Sequence, residues 1–341
     1  MLLVVNAGSS SVKLALFDGL QPVAKASVER IGAGGPSGHA EALAEGLAAM
    51  NVQAADLTAA AHRVVHGGVA FRSPHRVTPA VLAGIEACIP LAPLHNPANL
   101  LGIHAVAILS PDLPQYASFD TAFHATNPEV ATTYALPLPE RDRGLRRYGF
   151  HGLSYAAIVR KVQENAPNTL PERLLALHLG NGASLCAIRQ GQSVATTMGY
   201  SPLDGLTMGT RGGSLDPAVV LDLCARHGVD RATRMLNRES GLLALGGSPD
   251  MRQLQAAATG SFAIAHFCYW AIRHSGSMIA AMGGLDAIAF TGGIGENDEE
   301  VRMQILQGLD WIANGKPVHV IAADEEGQIA REALTLREAG E

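Results

Sequence analysis

The chain is poor in aromatic residues, in cysteine and in charged residues. Aromatic side chains make up 5% of the 341 residues, whereas hydrophobic residues as a whole make up 48%, so the core has to be built mainly from Ala, Leu, Val and Ile. The four cysteines are scattered and include no Cys-x-x-Cys pair, which argues against a disulfide framework and against a zinc site. A core of this composition is typical of helices packed on β-sheets, and the length suffices for two domains.

Two further absences narrow the range of functions. The formal net charge is −6 at pH 7, and no cluster of Lys and Arg is dense enough to neutralise a run of phosphates, so we expect no nucleic-acid partner. No apolar run approaches the roughly 20 residues that span a bilayer, and the start at Met1 lacks the basic segment of a signal peptide. We therefore expect a cytoplasmic protein with no membrane partner.

The most informative feature is an internal repeat. Residues 2–19 align without a gap with residues 174–191. Each copy has an apolar strand, a turn of Gly, Ser or Asn residues and a second apolar run that ends at Gly, which is the pattern of a β-hairpin. Such a turn directs several backbone N–H groups to one point and can hold phosphate oxygens. The repeat predicts a duplicated fold with a nucleotide bound between its two halves.

Local patterns predict further elements around the repeat. Helices are expected at 40–50, 80–89, 216–227, 261–282 and 328–337, and strands at 60–66, 116–120 and 285–291. The last strand is expected to break into a Gly-rich turn at 292–297. A P-loop is excluded because Gly315-Lys316 is followed by Pro317. The Pro-rich segment 134–140 and the basic loop 141–147 mark the expected boundary between the two halves.

Eight short motifs occur in the same order as in the acetate kinases, and the sequence resembles that family over nearly its whole length. They are NAGSSSVK at 6–13, HRVVHGG at 62–68, LAPLHNP at 91–97, FDTAFH at 119–124, RYGFHG at 147–152, HLGNG at 178–182, MGTR at 208–211 and FTGGIGEN at 290–297. The resemblance implies an α/β fold of duplicated actin- and hexokinase-like (ribonuclease H-like) domains, with mixed β-sheets flanked by helices and an interdomain nucleotide cleft. The implied N-terminal domain covers 1–147 with a returning helix at 327–341, and the C-terminal domain covers 148–326 and carries the nucleotide and dimer contacts.

The resemblance also implies a reaction. Members of the family transfer the γ-phosphoryl group of ATP to acetate, reversibly and with Mg²⁺ or Mn²⁺, which gives acetyl phosphate and ADP, and they are homodimers. A carboxylate is already a nucleophile at neutral pH, so the enzyme has to overcome charge repulsion rather than supply a base. Arginine suits this task because its planar, fixed charge can bind carboxylate and phosphoryl oxygens together. Three alternatives stay open: a kinase for propionate or another short-chain acid, an acetate kinase that uses pyrophosphate, and a non-catalytic nucleotide-binding module.

The same resemblance assigns roles to individual residues. The catalytic residues would be Arg63, His95, Asp120, His151 and Arg211. The acetate pocket would be formed by Arg63, Val65, Leu94, Phe150 and Pro202, and Asn6 and Glu325 would lie near the metal with Asp120. The ATP site would comprise Lys13, His178, Leu179, Gly180, Asn181, Gly182, Asp250, Met251, Arg252, Gly293, Ile294, Gly295 and Asn297.

Several of these residues also have an ordinary structural interpretation. Asp250 follows Ser-Pro and could cap a helix that begins near Met251. Arg63 could form a salt bridge at the end of a strand, and His178 could be a core histidine. Glu326, next to Glu325, could take its place near the metal.

Overall fold

The computed structural model describes residues 1–165, 170–257 and 260–340. The chain forms two compact units. The first unit comprises Met1–Ala125, Gly152–Ala157 and Asp324–Glu341, and the second comprises Thr126–His151 and Ile158–Ala323. Each unit is built on one β-sheet with helices packed against it.

The described residues contain two runs of three consecutive strands, and helices lie between most of the remaining strands. The strands are β1 (Leu2–Ala7), β2 (Ser11–Asp18), β3 (Gln21–Glu29), β4 (Ala59–Val64), β5 (His75–Arg76), β6 (Gln115–Phe119), β7 (Arg173–Leu179), β8 (Ala183–Arg189), β9 (Gln192–Thr196), β10 (Ala287–Thr291) and β11 (Val318–Val320). The helices are α1 (His39–Ala49), α2 (Pro79–Ala87), α3 (Asn96–Leu109), α4 (Glu129–Thr132), α5 (Leu138–Asp142), α6 (Gly152–Asn165), α7 (Pro217–His227), α8 (Val229–Arg238), α9 (Gly241–Gly246), α10 (Met251–Ala256), α11 (Gly260–Met282), α12 (Gly292–Asn297), α13 (Glu299–Gly308), α14 (Asp310–Ala313) and α15 (Glu325–Glu338). Within the described residues, no helix is both long enough and apolar enough to cross a membrane.

The first sheet has the strand order β3-β2-β1-β4-β6-β5. Strands β1, β2 and β3 form an antiparallel meander, while β4 runs parallel to β1 and β6 runs parallel to β4. Alternate residues of β1 face opposite sides of the sheet. Leu3 and Val5 join a core with α1 and α3, and Leu2 and Val4 join a second core with α15. Both faces are therefore covered, which explains why β1 is continuously apolar.

The second sheet repeats this topology with the order β11-β10-β7-β8-β9. Strands β7, β8 and β9 form the antiparallel meander, and β10 and β11 continue the sheet in parallel. Helix α11 packs on β8 and β9, and α12 packs against β7. The predicted α/β class with two mixed, helix-flanked sheets is confirmed.

The two hairpins match in the structure, but with a shift that the ungapped alignment does not show. Ala7 pairs with Val12 in the first hairpin, and Leu179 pairs with Ala183 in the second, so the second turn is one residue shorter. The second strand of each hairpin carries a bulge, between Leu16 and Phe17 in one and between Ala187 and Ile188 in the other. The ungapped alignment would place this bulge one residue later in the second copy. The repeat is real, and it contains a one-residue deletion in its turn.

The predicted helices and strands form close to the expected positions, with one exception. Residues 292–297 form the short helix α12 instead of a turn. The chain changes direction at Gly292, whose φ is +80° and where a Cβ atom would lie 2.6 Å from the backbone oxygen of Leu179. The Glu296 carboxylate then accepts hydrogen bonds from the backbone N–H groups of Gly292 and Ala323, at 3.0 Å and 2.9 Å. This long-range contact holds the segment in a helical turn.

Candidate active site

In the first unit, three strands of the sheet bring predicted site residues to one edge. Val5 pairs in parallel with His62, so the residues that follow them, Asn6 and Arg63, lie at the same edge. Asp120 comes directly after β6, the strand on the other side of β4. The carboxyl ends of neighbouring parallel strands are where open α/β sheets bind ligands.

Arg63 is the centre of an ionic cluster, which we call the Arg63 cluster and which consists of Arg63, Asp120 and Glu325. The guanidinium of Arg63 donates to both oxygens of Asp120, with Nε–Oδ1 at 3.0 Å and Nη2–Oδ2 at 2.7 Å. Its Nη1 lies 3.2 Å from Oε2 of Glu325. The side chain of Glu326 instead lies 3.9 Å from Nζ of Lys25. Of the two adjacent glutamates, Glu325 is the one in contact with Arg63.

Burial and charge act against each other in this cluster. Burial works to lower the pKa of Arg63, but the negative charges of Asp120 and Glu325 outweigh it, and the net pKa is raised above the ordinary arginine value. The Asp120 side chain is only 2% exposed, and burial raises its pKa although Arg63 opposes that shift. Arg63 therefore stays positively charged. The negative charge of the neighbouring Asp120 is stabilised by Arg63 and opposed by burial.

The loop after β4 is fixed by two buried asparagines that the sequence did not single out. The backbone N–H of Val65 donates to Oδ1 of Asn99 at 3.0 Å, and that of His66 donates to Oδ1 of Asn96 at 3.1 Å. Asn99 also donates to the backbone oxygen of Ala7 at 2.9 Å, at the end of β1. Asn96 falls inside the motif at 91–97, and its place in that motif is the sequence feature that could have identified it.

The other predicted residues of the first unit are spread more widely. Asn6 pairs through its backbone with Lys13 on β2, and the Lys13 side chain is exposed. Val65 and His95 are half-buried, and His95 immediately precedes α3. Leu94 is 50% exposed. Within this unit, Leu94 is therefore not enclosed in the manner expected of an apolar pocket wall.

In the second unit, the turn between β7 and β8 meets a histidine and an arginine. A Cβ atom at Gly182 would lie 2.9 Å from Nη2 of Arg211 and 3.3 Å from Nε2 of His151. The His151 ring stacks on the ring of His178, with centroids 4.2 Å apart and an interplanar angle of 25°. The absence of a side chain at Gly182 is what lets both nitrogen atoms approach the turn.

Arg211 is half-buried and has no carboxylate partner among the residues that the structure describes. Its Nη1 donates to the backbone oxygen of Pro202 at 2.9 Å, and burial lowers the pKa of its guanidinium. No ion pair is formed by this side chain within the described ranges. A cation in such surroundings is ready to bind an anion, because the surrounding protein has not neutralised it.

Phe150, beside His151 in sequence, is fully buried.

A cavity of about 850 Å³ opens beside this turn, entirely within the second unit. Its predicted lining residues are Gly180, Asn181, Asp250, Met251, Arg252, Gly293, Ile294 and Asn297, and the residues not foreseen are Pro249, Gln255, Asp298, Glu299 and Glu300. His178, Leu179, Gly182 and Gly295 lie in the adjoining elements without lining it. Residues from three separate segments thus surround one space large enough for a nucleoside.

Asp250 takes the structural role that its sequence context suggested, and it also lines the cavity. Its carboxylate accepts from the backbone N–H of Arg252 at 2.9 Å and so caps α10. The Arg252 guanidinium lies 2.7 Å from Oδ2 of Asp250. These hydrogen bonds from Arg252 lower the pKa of Asp250. Asp250 can both cap α10 and line the cavity, because the cap holds the ion pair between Asp250 and Arg252 at the cavity wall.

A half-buried arginine and a half-buried histidine that meet a Gly-rich turn beside a cavity form an arrangement suited to binding phosphoryl oxygens. The sequence matches the Acetokinase family over residues 33–327. It is 44% identical to an acetate kinase from Methylocella silvestris, across 98% of this chain and 97% of that protein. It is 44% identical to an acetate kinase from Deinococcus radiodurans, across 90% of this chain and 85% of that protein.

Solved structures agree with the sequence matches. Porphyromonas gingivalis acetate kinase superimposes with a TM-score of 0.90 at 33% identity, across 98% of this chain and 99% of that one. A propionate kinase from Francisella tularensis superimposes with a TM-score of 0.91 at 34% identity, across 97% and 98%. The chain belongs to the acetokinase family, and it is a phosphotransferase whose acceptor is a carboxyl group. The resemblance found in the sequence motifs is confirmed.

Proposed function

We propose that the protein is an acetate kinase that transfers the γ-phosphoryl group of ATP to acetate, reversibly and with Mg²⁺, to give acetyl phosphate and ADP. The observation that carries this proposal is the meeting of His151 Nε2 and Arg211 Nη2 at Gly182. Gly180 and Asn181, in the same turn, line the large cavity. A nucleoside in the cavity would direct its phosphates toward the turn, where those two nitrogen atoms lie.

The reaction follows from this charge arrangement. A carboxylate oxygen of acetate attacks the γ-phosphorus, the bond from that phosphorus to the β–γ bridging oxygen breaks, and ADP leaves with the electron pair. His151 and Arg211 donate hydrogen bonds to the phosphoryl oxygens as charge spreads over them, and the loss of one such donor costs about 3–4 kcal/mol. Arg63 binds the acetate carboxylate, which offsets repulsion between the two anions. His95 is proposed as a further donor to the transferred group.

The Arg63 cluster also fits a magnesium ion. No group of three or more His, Cys, Asp or Glu side chains forms a metal site in the described ranges. Mg²⁺ needs fewer protein ligands, since it usually combines one or two carboxylates with substrate phosphates and water. We propose that Asp120 and Glu325 hold it, with Asn6 nearby, and that Mn²⁺ can replace it. When bound, the ion would neutralise phosphate charge.

The choice of substrates rests on two features. A cavity of about 850 Å³ is far larger than pyrophosphate requires, and this favours ATP as the donor. For the acceptor, we propose that Val65, Leu94, Phe150 and Pro202 contact the methyl group of acetate. One more methylene contributes only about 0.8 kcal/mol of burial, and such sites discriminate neighbours by roughly 10- to 200-fold. Propionate should therefore be a poor substrate, not an excluded one.

Steady-state kinetics with matched substrate pairs test this proposal. The purified protein is assayed with acetate, propionate and butyrate, each with ATP and with pyrophosphate, and kcat/KM is compared. We expect acetate with ATP to give the highest value. A higher kcat/KM for propionate, or a rate with pyrophosphate above that with ATP, would replace the proposal with the corresponding alternative. No turnover with any pair would favour a nucleotide-binding module.

Self-association through the second unit is part of the proposal. Helix α11 is 23 residues long and leaves Phe262 63% exposed and Tyr269 61% exposed. An aromatic surface of this kind is typical of a protein interface. We propose a homodimer, which sedimentation at micromolar concentration should show as twice the 35.6 kDa chain mass, whereas a monomer would contradict it.

All four cysteines are free, which supports the cytoplasm as the compartment.

A further inference from the structure

Ser184 lies at a position that the catalytic roles described above do not use. It is the second residue of β8, it is completely buried, and it stands directly opposite His178 in the register of the hairpin. Residues opposite each other on antiparallel strands point to the same face of the sheet. The Ser184 hydroxyl and the His178 ring are therefore side by side, and both contact His151.

Together these two side chains form a two-point support for the His151 ring. Oγ of Ser184 lies 2.9 Å from Nδ1 of His151, while His178 covers the face of the ring at a centroid distance of 4.2 Å. The backbone of His151 is left-handed, with a φ of +58°, a conformation that is strained for a non-glycine residue. The site maintains this strained backbone, and it places the imidazole beside Gly182, which Nη2 of Arg211 also approaches.

The contact with Ser184 also selects one of two ring orientations. The terminal torsion of a histidine side chain is broad and roughly two-fold, so stacking alone would allow the ring to turn over. A turned ring would exchange the positions of Nε2 and Cε1, which lie 3.3 Å and 3.4 Å from where a Cβ atom of Gly182 would be, and so would move the donor nitrogen. A hydrogen bond to Nδ1 distinguishes the two orientations, since only one of them brings a nitrogen to Oγ.

We propose that Ser184 is a positioning residue for phosphoryl transfer, which holds His151 by Nδ1 so that Nε2 is presented to the transferred group. The inference rests on the proposed function, because it assumes that His151 donates to the phosphoryl oxygens. Ser184 acts through His151 and does not touch the substrate. Its effect should therefore appear in kcat and disappear when His151 is removed.

A double-mutant cycle tests this role. The variants are Ser184→Ala, His151→Ala and the double variant, with kcat, the KM for ATP and the melting temperature measured for each. We expect Ser184→Ala to lower kcat by roughly 10- to 100-fold, the range for leaving a hydrogen-bond partner unsatisfied, with the KM for ATP within about twofold of the unchanged protein. In the His151→Ala background, Ser184→Ala should cause no further loss.

Two companion variants separate positioning from a general effect on the fold. Ser193→Ala removes an equally buried hydroxyl on β9, 3.2 Å from Sγ of Cys186, and should leave kcat unchanged. Ser184→Thr keeps the hydroxyl and should recover most of the kcat that Ser184→Ala loses. Losses that multiply in the double variant, or a Ser184→Thr protein as slow as Ser184→Ala with the same melting temperature, would overturn the inference.

The kinetics of the single variants distinguish a failure of the proposed role of His151 from a failure of the proposed role of Ser184. A normal kcat in His151→Ala would remove the proposed role of His151 itself. A slow His151→Ala combined with a normal Ser184→Ala would overturn only the positioning role of Ser184.

Discussion

The guanidinium of Arg63 binds both carboxylate oxygens of Asp120, at 3.0 Å and 2.7 Å, in a site where Asp120 is almost completely buried. Arg211, by contrast, forms no ion pair among the described residues and is held by a single backbone oxygen, that of Pro202. The first arginine is paired with a buried carboxylate, and the second is a half-buried cation with no carboxylate partner. Substituting them should therefore affect stability in different ways.

Arg63→Ala should reduce both activity and stability. Removing one partner of a buried ion pair leaves the other charge uncompensated, which costs about 3–5 kcal/mol of unfolding free energy. The measurement is urea unfolding together with kcat at saturating substrates. Arg226→Ala is the matched control, since it removes an arginine from an exposed pair with Asp222 and should cost less than about 1 kcal/mol. An Arg63→Ala protein as stable as the control would contradict the buried pair.

Arg211→Ala should separate activity from stability. The change removes a donor to the transferred group, and kcat should fall by roughly 10³-fold. It also removes a half-buried charge that has no carboxylate partner, so the melting temperature should stay the same or rise. Thermal unfolding and steady-state kinetics on one preparation check both expectations. A lowered melting temperature, or a kcat near that of the unchanged protein, would count against the assigned role.

Gly182→Ala should impair catalysis with little effect on folding. The added Cβ atom would meet Nη2 of Arg211 at 2.9 Å and Nε2 of His151 at 3.3 Å, which are the ends of side chains that can shift. Both donors should be displaced, and kcat should fall by roughly tenfold or more, since donor geometry decides their effect. Gly276→Ala is the control, because a Cβ atom there meets nothing within 4 Å. Equal kcat values for the two variants would disagree with the described geometry.

Stability should decrease as the pH falls below about 6.5, in part because of His62. Burial lowers the pKa of His62 from its usual 6.5 to about 4, so between these values the unfolded chain binds a proton that the folded chain does not. Stability from this group is complete above pH 6.5 and is lost toward pH 4, at up to about 1.4 kcal/mol for each pH unit.

Urea unfolding at several pH values measures this slope. His62→Gln should make the slope shallower, although His66, whose pKa burial also lowers to about 4, keeps part of it. The same slope in His62→Gln as in the unchanged protein would show that His62 does not titrate as expected.

Much of the architecture could be predicted because it depends on local patterns. The two hairpins follow from apolar alternation and Gly-rich turns, and the strand ends that carry Arg63 and Asp120 follow from short apolar runs. The helix at 292–297 could not be foreseen, since it depends on Glu296 binding the backbone of Ala323. The contact between Ser184 and His151 joins two segments 33 positions apart, and no sequence periodicity reports such a pairing.

We expect this protein to transfer the γ-phosphoryl group of ATP to the carboxylate of acetate. Phosphorus NMR of the purified protein with magnesium, ATP and acetate measures this directly, since the acyl phosphate, ADP and inorganic phosphate give separate signals. We predict acetyl phosphate and ADP in equal amounts, with a matching loss of ATP and little inorganic phosphate. ADP accompanied only by inorganic phosphate, or no change in ATP, would contradict the account.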